Sequence, residues 1–152
     1  MAYWLMKSEP EVYSIENLKK DKKSLWEGVR NYQARNFMTQ AMKPGDLVLF
    51  YHSNAEPPGV AGLAKVAGPA VPDPTQFDKK SEYFDAKSTR ENPRWNCVPV
   101  EFVEKFPDVL PLETLRGTKS LAKMALLQRG QRLSVQPVTA AEFETVLKMA
   151  RG

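Results

Sequence analysis

The chain has 152 residues, of which 42% are hydrophobic and 26% are charged, an ordinary composition for one globular domain with a core of its own. Its 22 Lys and Arg residues exceed its 18 Asp and Glu residues, giving a formal net charge of +4, which mildly favours a polyanionic partner. Cys97 is the only cysteine and His52 the only histidine. This excludes an intramolecular disulfide and a thiolate metal cluster, so we expect neither a metal site nor a cofactor.

The chain shows no targeting or membrane segment. Residues 1–7 have neither a basic start nor an apolar stretch long enough for a signal peptide, and no run approaches a bilayer span. We therefore expect a cytoplasmic protein that does not associate with membranes. No long linker divides the chain, so residues 1–152 are expected to form a single domain. No exposed heptad or apolar patch favours a dimer, which leaves a monomer as the default expectation.

The first third predicts a strand and two helices. An apolar strand over Tyr3–Met6 stops at Ser8-Glu9-Pro10. Ser14 then caps a helix that runs to about Lys20. Over residues 31–42 apolar positions recur with helical spacing, which predicts an amphipathic helix whose buried face carries Ala34, Phe37, Met38 and Ala41.

The middle of the chain predicts two interior strands and a long loop. The apolar run over residues 47–51 predicts the first strand, and residues 60–66 predict the second. Gly62 within the second strand indicates close approach of another backbone. The irregular, proline-containing stretch 68–93 predicts a loop, and a loop of that length is usually functional or locally mobile.

The last third predicts two further strands with short helices. Residues 95–106 read as a strand that Pro99 places at a sheet edge or at a bulge. Short helical segments follow near 112–116 and 121–127, and residues 132–136 alternate as a strand should. Thr139 and Glu142 form a capping box that opens the last helix. This mixed order predicts an α+β fold with a small, mostly antiparallel sheet or barrel.

The most informative stretch runs from Trp26 to Asn36. It places a tryptophan on a Gly-containing turn just ahead of the predicted helix over residues 31–42. A flat aromatic ring is a suitable floor for a planar ligand, and helix N-terminal amides favour electron-rich or anionic groups. Together with Lys7-Ser8-Glu9-Pro10 and Tyr51-His52-Ser53-Asn54, this stretch predicts a pocket for a nucleobase-like molecule.

An ordered series of motifs along the chain resembles the EVE domain family. The resemblance covers essentially the whole chain and implies a PUA-like fold, a small β-barrel with surrounding helices, related to the YTH domain. It also implies a reader of modified nucleobases in DNA or RNA. The segments that carry it are Tyr3–Pro10, Trp26–Asn36, Gly45–Val48, Tyr51–Ser53, Gly59–Ala64, Pro93–Trp95 and Arg132–Val138.

The resemblance also implies which residues form the pocket. Lys7 and Ser8 match its polar lip, and Trp26 matches a wall of the base-binding cage. Tyr51, His52 and Ser53 match the strand end that faces the pocket. The second cage aromatic falls in the variable loop, where Tyr83 and Phe84 are the candidates.

Four further residues are candidates from their positions in the sequence. Ser134 and Gln136 share one face of a predicted strand, and a glutamine amide can pair with a base edge. Arg30 and Arg35 flank the predicted pocket, where they would hold phosphates of a strand whose base is flipped in. Each of the four also has an ordinary structural interpretation, as a solvated or turn-stabilising group.

Three classes of function remain open at this point. The preferred hypothesis is a non-catalytic module that binds a modified base flipped from DNA or RNA into the pocket. The alternative is a small PUA-like amidohydrolase that uses Lys7, Ser8 and Glu9. A third possibility is an interaction protein that uses only its basic surface. A serine hydrolase is disfavoured because adjacent strand residues such as His52 and Ser53 point to opposite faces.

Overall fold

The computed structural model describes all 152 residues and contains eight strands and four α-helices. Single 3-10 turns lie at Pro74–Phe77, Lys119–Leu121 and Ala125–Leu127, and a π-helical turn covers Phe37–Ala41. The strands are β1 (Tyr3–Ser8), β2 (Lys23–Leu25), β3 (Leu47–His52), β4 (Gly59–Val66), β5 (Val71–Pro72), β6 (Asn96–Cys97), β7 (Pro99–Pro111) and β8 (Val135–Val138). The helices are α1 (Ile15–Asp21), α2 (Tyr32–Asn36), α3 (Leu112–Arg116) and α4 (Ala140–Arg151).

Six of the strands form one curled sheet in the order β2-β7-β4-β3-β1-β8. Only β1 and β3 run parallel, and every other neighbouring pair is antiparallel. Register shifts between β3 and β4 and between β4 and β7 mark irregularities, which bend a sheet and increase its twist. The result is a half-barrel that is mostly antiparallel, as the sequence predicts, so the α+β, PUA-like fold class is confirmed.

The sheet is covered by apolar residues on both faces. Successive residues of β1 alternate between the two, so that Trp4 and Met6 enter one buried cluster and Leu5 enters the other. The first cluster packs against α1 and α2, and includes Ile15, Leu18, Trp26, Ala34 and Met38. The second packs against α3 and α4, and includes Leu115, Phe143 and Val146.

Several local predictions are confirmed. The Ser14 side chain caps α1 in a capping box with Asn17, and Thr139 caps α4 in a capping box with Glu142. At Gly62 a Cβ atom would lie 2.5 Å from the carbonyl oxygen of Glu104, so only glycine permits this approach of β4 to β7. The two caps are predictable because residues three positions farther along the chain complete them, whereas Gly62 is recognisable as a glycine inside a strand.

The predicted helix over residues 31–42 is wrong in its second half. The α-helix ends at Asn36 and continues as the π-helical turn. A π turn holds more residues than an α turn, so the buried face moves along by one residue. Ala41, which the helical spacing places inside, is exposed, and Met42 is buried instead.

The strand with Pro99 also differs from its prediction. It breaks into β6 and β7, and Pro99 is the first residue of β7. β7 is not an edge strand, because it lies between β2 and β4. The first position of a strand tolerates a residue without a backbone N–H. Farther on, β8 starts only at Val135, so the predicted strand residues Arg132 to Ser134 belong to the preceding loop.

Candidate functional site

A cleft of about 880 Å³ opens at the carboxyl end of β1. Its volume falls within the range of roughly 300–1,000 Å³ that is usual for ligand sites. Twenty residues line it and six of them are hydrophobic, so the walls are mainly polar. The lining residues come from residues 7–13, 24–30, 53–54, 75–83 and 131–134.

Three aromatic side chains contribute to the walls. Trp26, Tyr83 and Tyr13 all line the cleft. Trp26 follows β2 directly and is 8% exposed, with its ring edge-on to Phe50 at a centroid distance of 5.2 Å. Its indole N–H has no acceptor in the protein, whereas the indole N–H groups of Trp4 and Trp95 bind carboxylates. Trp26 is therefore both a core residue and a wall of the cleft.

Gly28 shapes the wall next to Trp26. Its φ of +87° lies in the left-handed region, which glycine adopts without steric cost. A Cβ atom at this position would lie 2.8 Å from the ring of Tyr83. The Gly28 backbone N–H donates to Oδ2 of Asp73 at 2.8 Å. Glycine thus lets Tyr83, from the long loop, pack directly on the Trp26 turn.

Arg30 fixes the long loop to this turn. Its guanidinium donates to Oδ2 of Asp73 at 3.1 Å, to Oγ1 of Thr75 at 3.0 Å and to the carbonyl of Tyr83 at 2.7 Å. Burial raises the pKa of Asp73, but hydrogen bonds from Thr75, Gly28 and Arg30 outweigh it, so the pKa lies below its usual range. Arg30 lines the cleft, yet its hydrogen bonds are used within the protein.

The polar groups of the cleft offer both donors and acceptors. Partial burial lowers the pKa of Lys7, whose ammonium lies 5.8 Å from the ring centroid of Tyr51. Burial, and then the charge of Asp73, raise the pKa of Glu27. The Ser8 hydroxyl donates to the Tyr13 carbonyl at 2.7 Å, which leaves its oxygen free to accept. A planar ligand with both kinds of hydrogen-bonding group could therefore be held here.

The structure brings together seven of the eleven residues that the sequence predicted for the site. They line the one cleft, although they come from five separate segments of the sequence. These residues are Lys7, Ser8, Trp26, Arg30, Ser53, Tyr83 and Ser134. The other four, Tyr51, His52, Arg35 and Gln136, lie outside the cleft.

Tyr51 and His52 are turned into the protein. Tyr51 belongs to the second apolar cluster, on the face of the sheet that packs against α3 and α4. Nε2 of His52 accepts a hydrogen bond from the backbone N–H of Ile15 at 3.1 Å, and its ring lies edge-on to Phe50. Burial lowers the pKa of His52. The prediction that both residues face the pocket is corrected, because the last residues of β3 are needed for packing.

Arg35 and Gln136 also have structural roles. The Arg35 guanidinium lies 4.6 Å from the ring centroid of Tyr32 and donates to the carbonyl of Arg94 at 2.8 Å. Gln136 is 1% exposed, and its Nε2 donates to the carbonyl of Leu133. The N-terminus of α2 does not line the cleft either, because α2 begins at Tyr32. The predicted contribution of helix amides to the pocket is therefore corrected as well.

Thirteen of the twenty residues that line the cleft were not predicted from the sequence, and three of them bear most on its chemistry: Tyr13, Glu27 and Arg132. For Glu27 the available signal was its position next to Trp26 in the Trp26–Asn36 stretch. For Arg132 the signal was the absence of acidic residues around it. Tyr13 gave none, because a tyrosine ahead of a helix cap is ordinary.

The proposed hydrolytic cluster does not converge. Lys7 lies over Tyr51, the Ser8 hydroxyl donates to Tyr13, and Glu9 accepts from the side chain of Asn54. Nε2 of His52 is occupied by the Ile15 amide. A nucleophile and its base need to lie within hydrogen-bond reach of each other, and no such pair exists among these residues.

Comparison with known proteins identifies the class. The family model for the EVE domain matches residues 2–149, and the chain belongs to this family. It is 44% identical to human thymocyte nuclear protein 1 over 97% of this chain and 73% of the human protein. No helix combines the length and the apolar character needed to cross a bilayer.

Two solved structures extend the comparison. A hypothetical protein from Leishmania major is 53% identical and superposes with a TM-score of 0.95, covering 99% of this chain and 94% of that one. The human THYN1 protein, solved in complex with 5-methylcytosine-containing DNA, is 43% identical with a TM-score of 0.92. That match covers 100% of this chain and 99% of the human one.

Proposed function

We propose that this protein is a non-catalytic nucleic-acid-binding module that holds one modified nucleobase, flipped out of its strand, in the cleft. The observation that carries the proposal is the similarity to the human THYN1 protein, which was solved with 5-methylcytosine-containing DNA, over the full length of this chain. The aromatic-walled cleft supports it, since a flipped base needs a pocket that stacks on its face and pairs with its edge.

The lining residues offer stacking contacts to the face of the base and hydrogen bonds to its edge. Trp26 and Tyr83 offer ring surface, and stacking of a base on an aromatic ring contributes about 1–3 kcal/mol. Glu27 can accept a hydrogen bond from an exocyclic amine, as carboxylates do from the cytosine N4 group. Lys7 and Ser53 can donate to carbonyl or ring acceptors. Cytosine carries both kinds of group, so 5-methylcytosine is the first ligand to test.

The test compares two DNA duplexes that differ only in one 5-methyl group, with an RNA pair of the same design beside them. We expect the modified strand to bind more tightly. Ser53→Ala and Lys7→Met each remove a donor from the cleft, and a lost hydrogen bond to a buried polar group costs about 1–3 kcal/mol. The expected loss of affinity is therefore about 5- to 150-fold, while Ser120→Ala, at an exposed position outside the cleft, should bind like the wild type.

Equal affinity for modified and unmodified strands would contradict the proposal. Unchanged affinity in both cleft variants would contradict the placement of the base. The amidohydrolase alternative has its own readout, which is mass analysis of the nucleosides after incubation with the protein. Unchanged masses are expected, and a product that has lost a group would favour the enzyme.

A further inference from the structure

Positive charge is concentrated in the segment from Thr114 to Ala141. Five of the 22 Lys and Arg residues lie in this segment, and none of the 18 Asp and Glu residues does. The remainder of the chain therefore carries 17 basic and 18 acidic residues, and the whole positive excess comes from this one segment. Its basic residues, all exposed, are Arg116, Lys119, Lys123, Arg129 and Arg132.

Two of the eight arginines have no partner within the protein, and both lie in this segment. Arg129 and Arg132 form no ion pair, side-chain hydrogen bond or aromatic contact. The other six each have at least one: Arg30 with Asp73, Arg35 and Arg94 with Tyr32, Arg90 with Phe77, Arg116 with Glu113, and Arg151 with Glu104. The guanidinium groups of Arg129 and Arg132 are therefore free to bind an external anion.

The turn that carries both arginines is held at the rim of the cleft. Arg132 is itself a lining residue, and Gly130 between the two has a φ of +78°. The Gln128 side chain donates to the carbonyls of Ala122 and Met124 at 3.1 Å each. After the turn, the carbonyl of Ser134 accepts from the backbone N–H of Lys7 at 2.8 Å. Both ends of the turn are therefore anchored, and Lys7, which anchors the second end, lines the cleft.

We propose that Arg129 and Arg132 bind the phosphate backbone of the nucleic-acid strand whose base occupies the cleft. The inference rests on the proposed function and gives these two residues the role that the sequence suggested for Arg30 and Arg35. Guanidinium groups pair bidentately with phosphate, and a segment without acidic residues adds a favourable field. Phosphate contacts position a strand without reading its bases, so this pair contributes affinity and not discrimination.

The test measures the dissociation constant of each DNA duplex, methylated and unmethylated, as a function of salt concentration. The double variant Arg129→Gln/Arg132→Gln removes both guanidinium groups. Each phosphate contact contributes about 0.9 to the slope of log affinity against log salt, so the slope should become shallower by about two. Affinity at low salt should fall by the same factor for both duplexes, leaving their ratio unchanged.

The matched control is Lys43→Gln/Lys148→Gln. It removes the same charge from two exposed residues outside the cleft, of which Lys43 precedes β3 at the opposite end from Ser53. Its slope should equal that of the wild type, and circular dichroism should show both variants folded. A double arginine variant with the wild-type slope, or a control with an equal loss, would overturn the inference.

The two proposals fail in distinguishable ways. If the wild type binds both duplexes equally while the arginine variant loses slope, the proposed function falls and the phosphate site stands. If the wild type discriminates between the duplexes while the arginine variant keeps the wild-type slope, only the phosphate-site proposal is contradicted. If no nucleic acid binds, both proposals fall.

Discussion

Trp26 shows how one residue serves both the core and the cleft. Its ring packs edge-on against Phe50, while the indole N–H is left without a protein acceptor. The sequence analysis assigned Trp26 to the pocket wall, and the structure gives it a place in the core as well. Replacement by alanine would remove core packing, at a cost of about 3–5 kcal/mol, together with any base contact. A test of base binding is therefore cleaner at Ser53 or Lys7.

His52 should make stability depend on pH. Because its Nε2 accepts the Ile15 amide hydrogen, only the neutral ring fits, and burial lowers its pKa below the ordinary 6.5. Between the folded pKa and 6.5 the unfolded state binds more protons. The free energy of unfolding should therefore fall as pH decreases below 6.5, by at most about 1.4 kcal/mol per pH unit, and the loss should level off below the folded pKa.

The measurement is urea unfolding of the wild type and of His52→Gln across this range. The glutamine carbonyl can still accept from Ile15 but does not titrate, so its profile should be flatter. No other histidine is present to confuse the comparison. Parallel profiles for the two proteins would show that His52 does not control this pH dependence.

At the scale of elements, the long loop is tied to the Trp26 turn by one ion pair. Asp73 is 1% exposed and Arg30 is 22% exposed at the side chain. Breaking a buried ion pair from one side leaves an uncompensated charge, which typically costs about 3–5 kcal/mol. Loss of this ion pair should therefore loosen the loop that supplies Tyr83 to the wall of the cleft.

Arg30→Met should lower the free energy of unfolding by about 3 kcal/mol, near the small end of that range because Asp73 keeps its Thr75 and Gly28 hydrogen bonds. Hydrogen exchange should become faster in residues 73–85. Lys23→Gln, which removes one end of an exposed pair with Glu101, is the control and should change neither quantity. Unchanged exchange in Arg30→Met would show that the loop is held by other contacts.

Elements decided by neighbouring residues were predictable, whereas those decided by distant contacts were not. The caps at Ser14 and Thr139 satisfy backbone groups a few residues away, so the sequence displays them. The π turn brings Met42 rather than Ala41 into the core, and no local sequence pattern indicates this turn. Asp73, the partner of Arg30, lies 43 residues farther along the chain, so the sequence does not reveal their ion pair. Arg30 therefore looks like a free phosphate ligand in the sequence.

At the scale of the whole molecule, the resemblance to the EVE family predicted the fold class and five of the cleft-lining residues, which are Lys7, Ser8, Trp26, Ser53 and Tyr83. It failed at the end of β3, where Tyr51 and His52 serve the core, and the argument from the strand face failed at Gln136, which is buried in β8. The basic segment after Thr114 could have been recognised from the sequence, since no acidic residue interrupts it. Its position beside the cleft could not, because that depends on the pairing of β8 with β1.

The three tryptophans allow a direct test of whether a modified base binds against Trp26, as we propose. The indole N–H of Trp4 binds Asp46, that of Trp95 binds Asp85, and that of Trp26 has no protein partner. We would follow the three indole N–H resonances in ¹H–¹⁵N spectra while titrating DNA with a single 5-methylcytosine. We expect the Trp26 signal to shift most and the unmethylated strand to shift it less. Saturating binding that leaves the Trp26 signal in place would contradict the proposal.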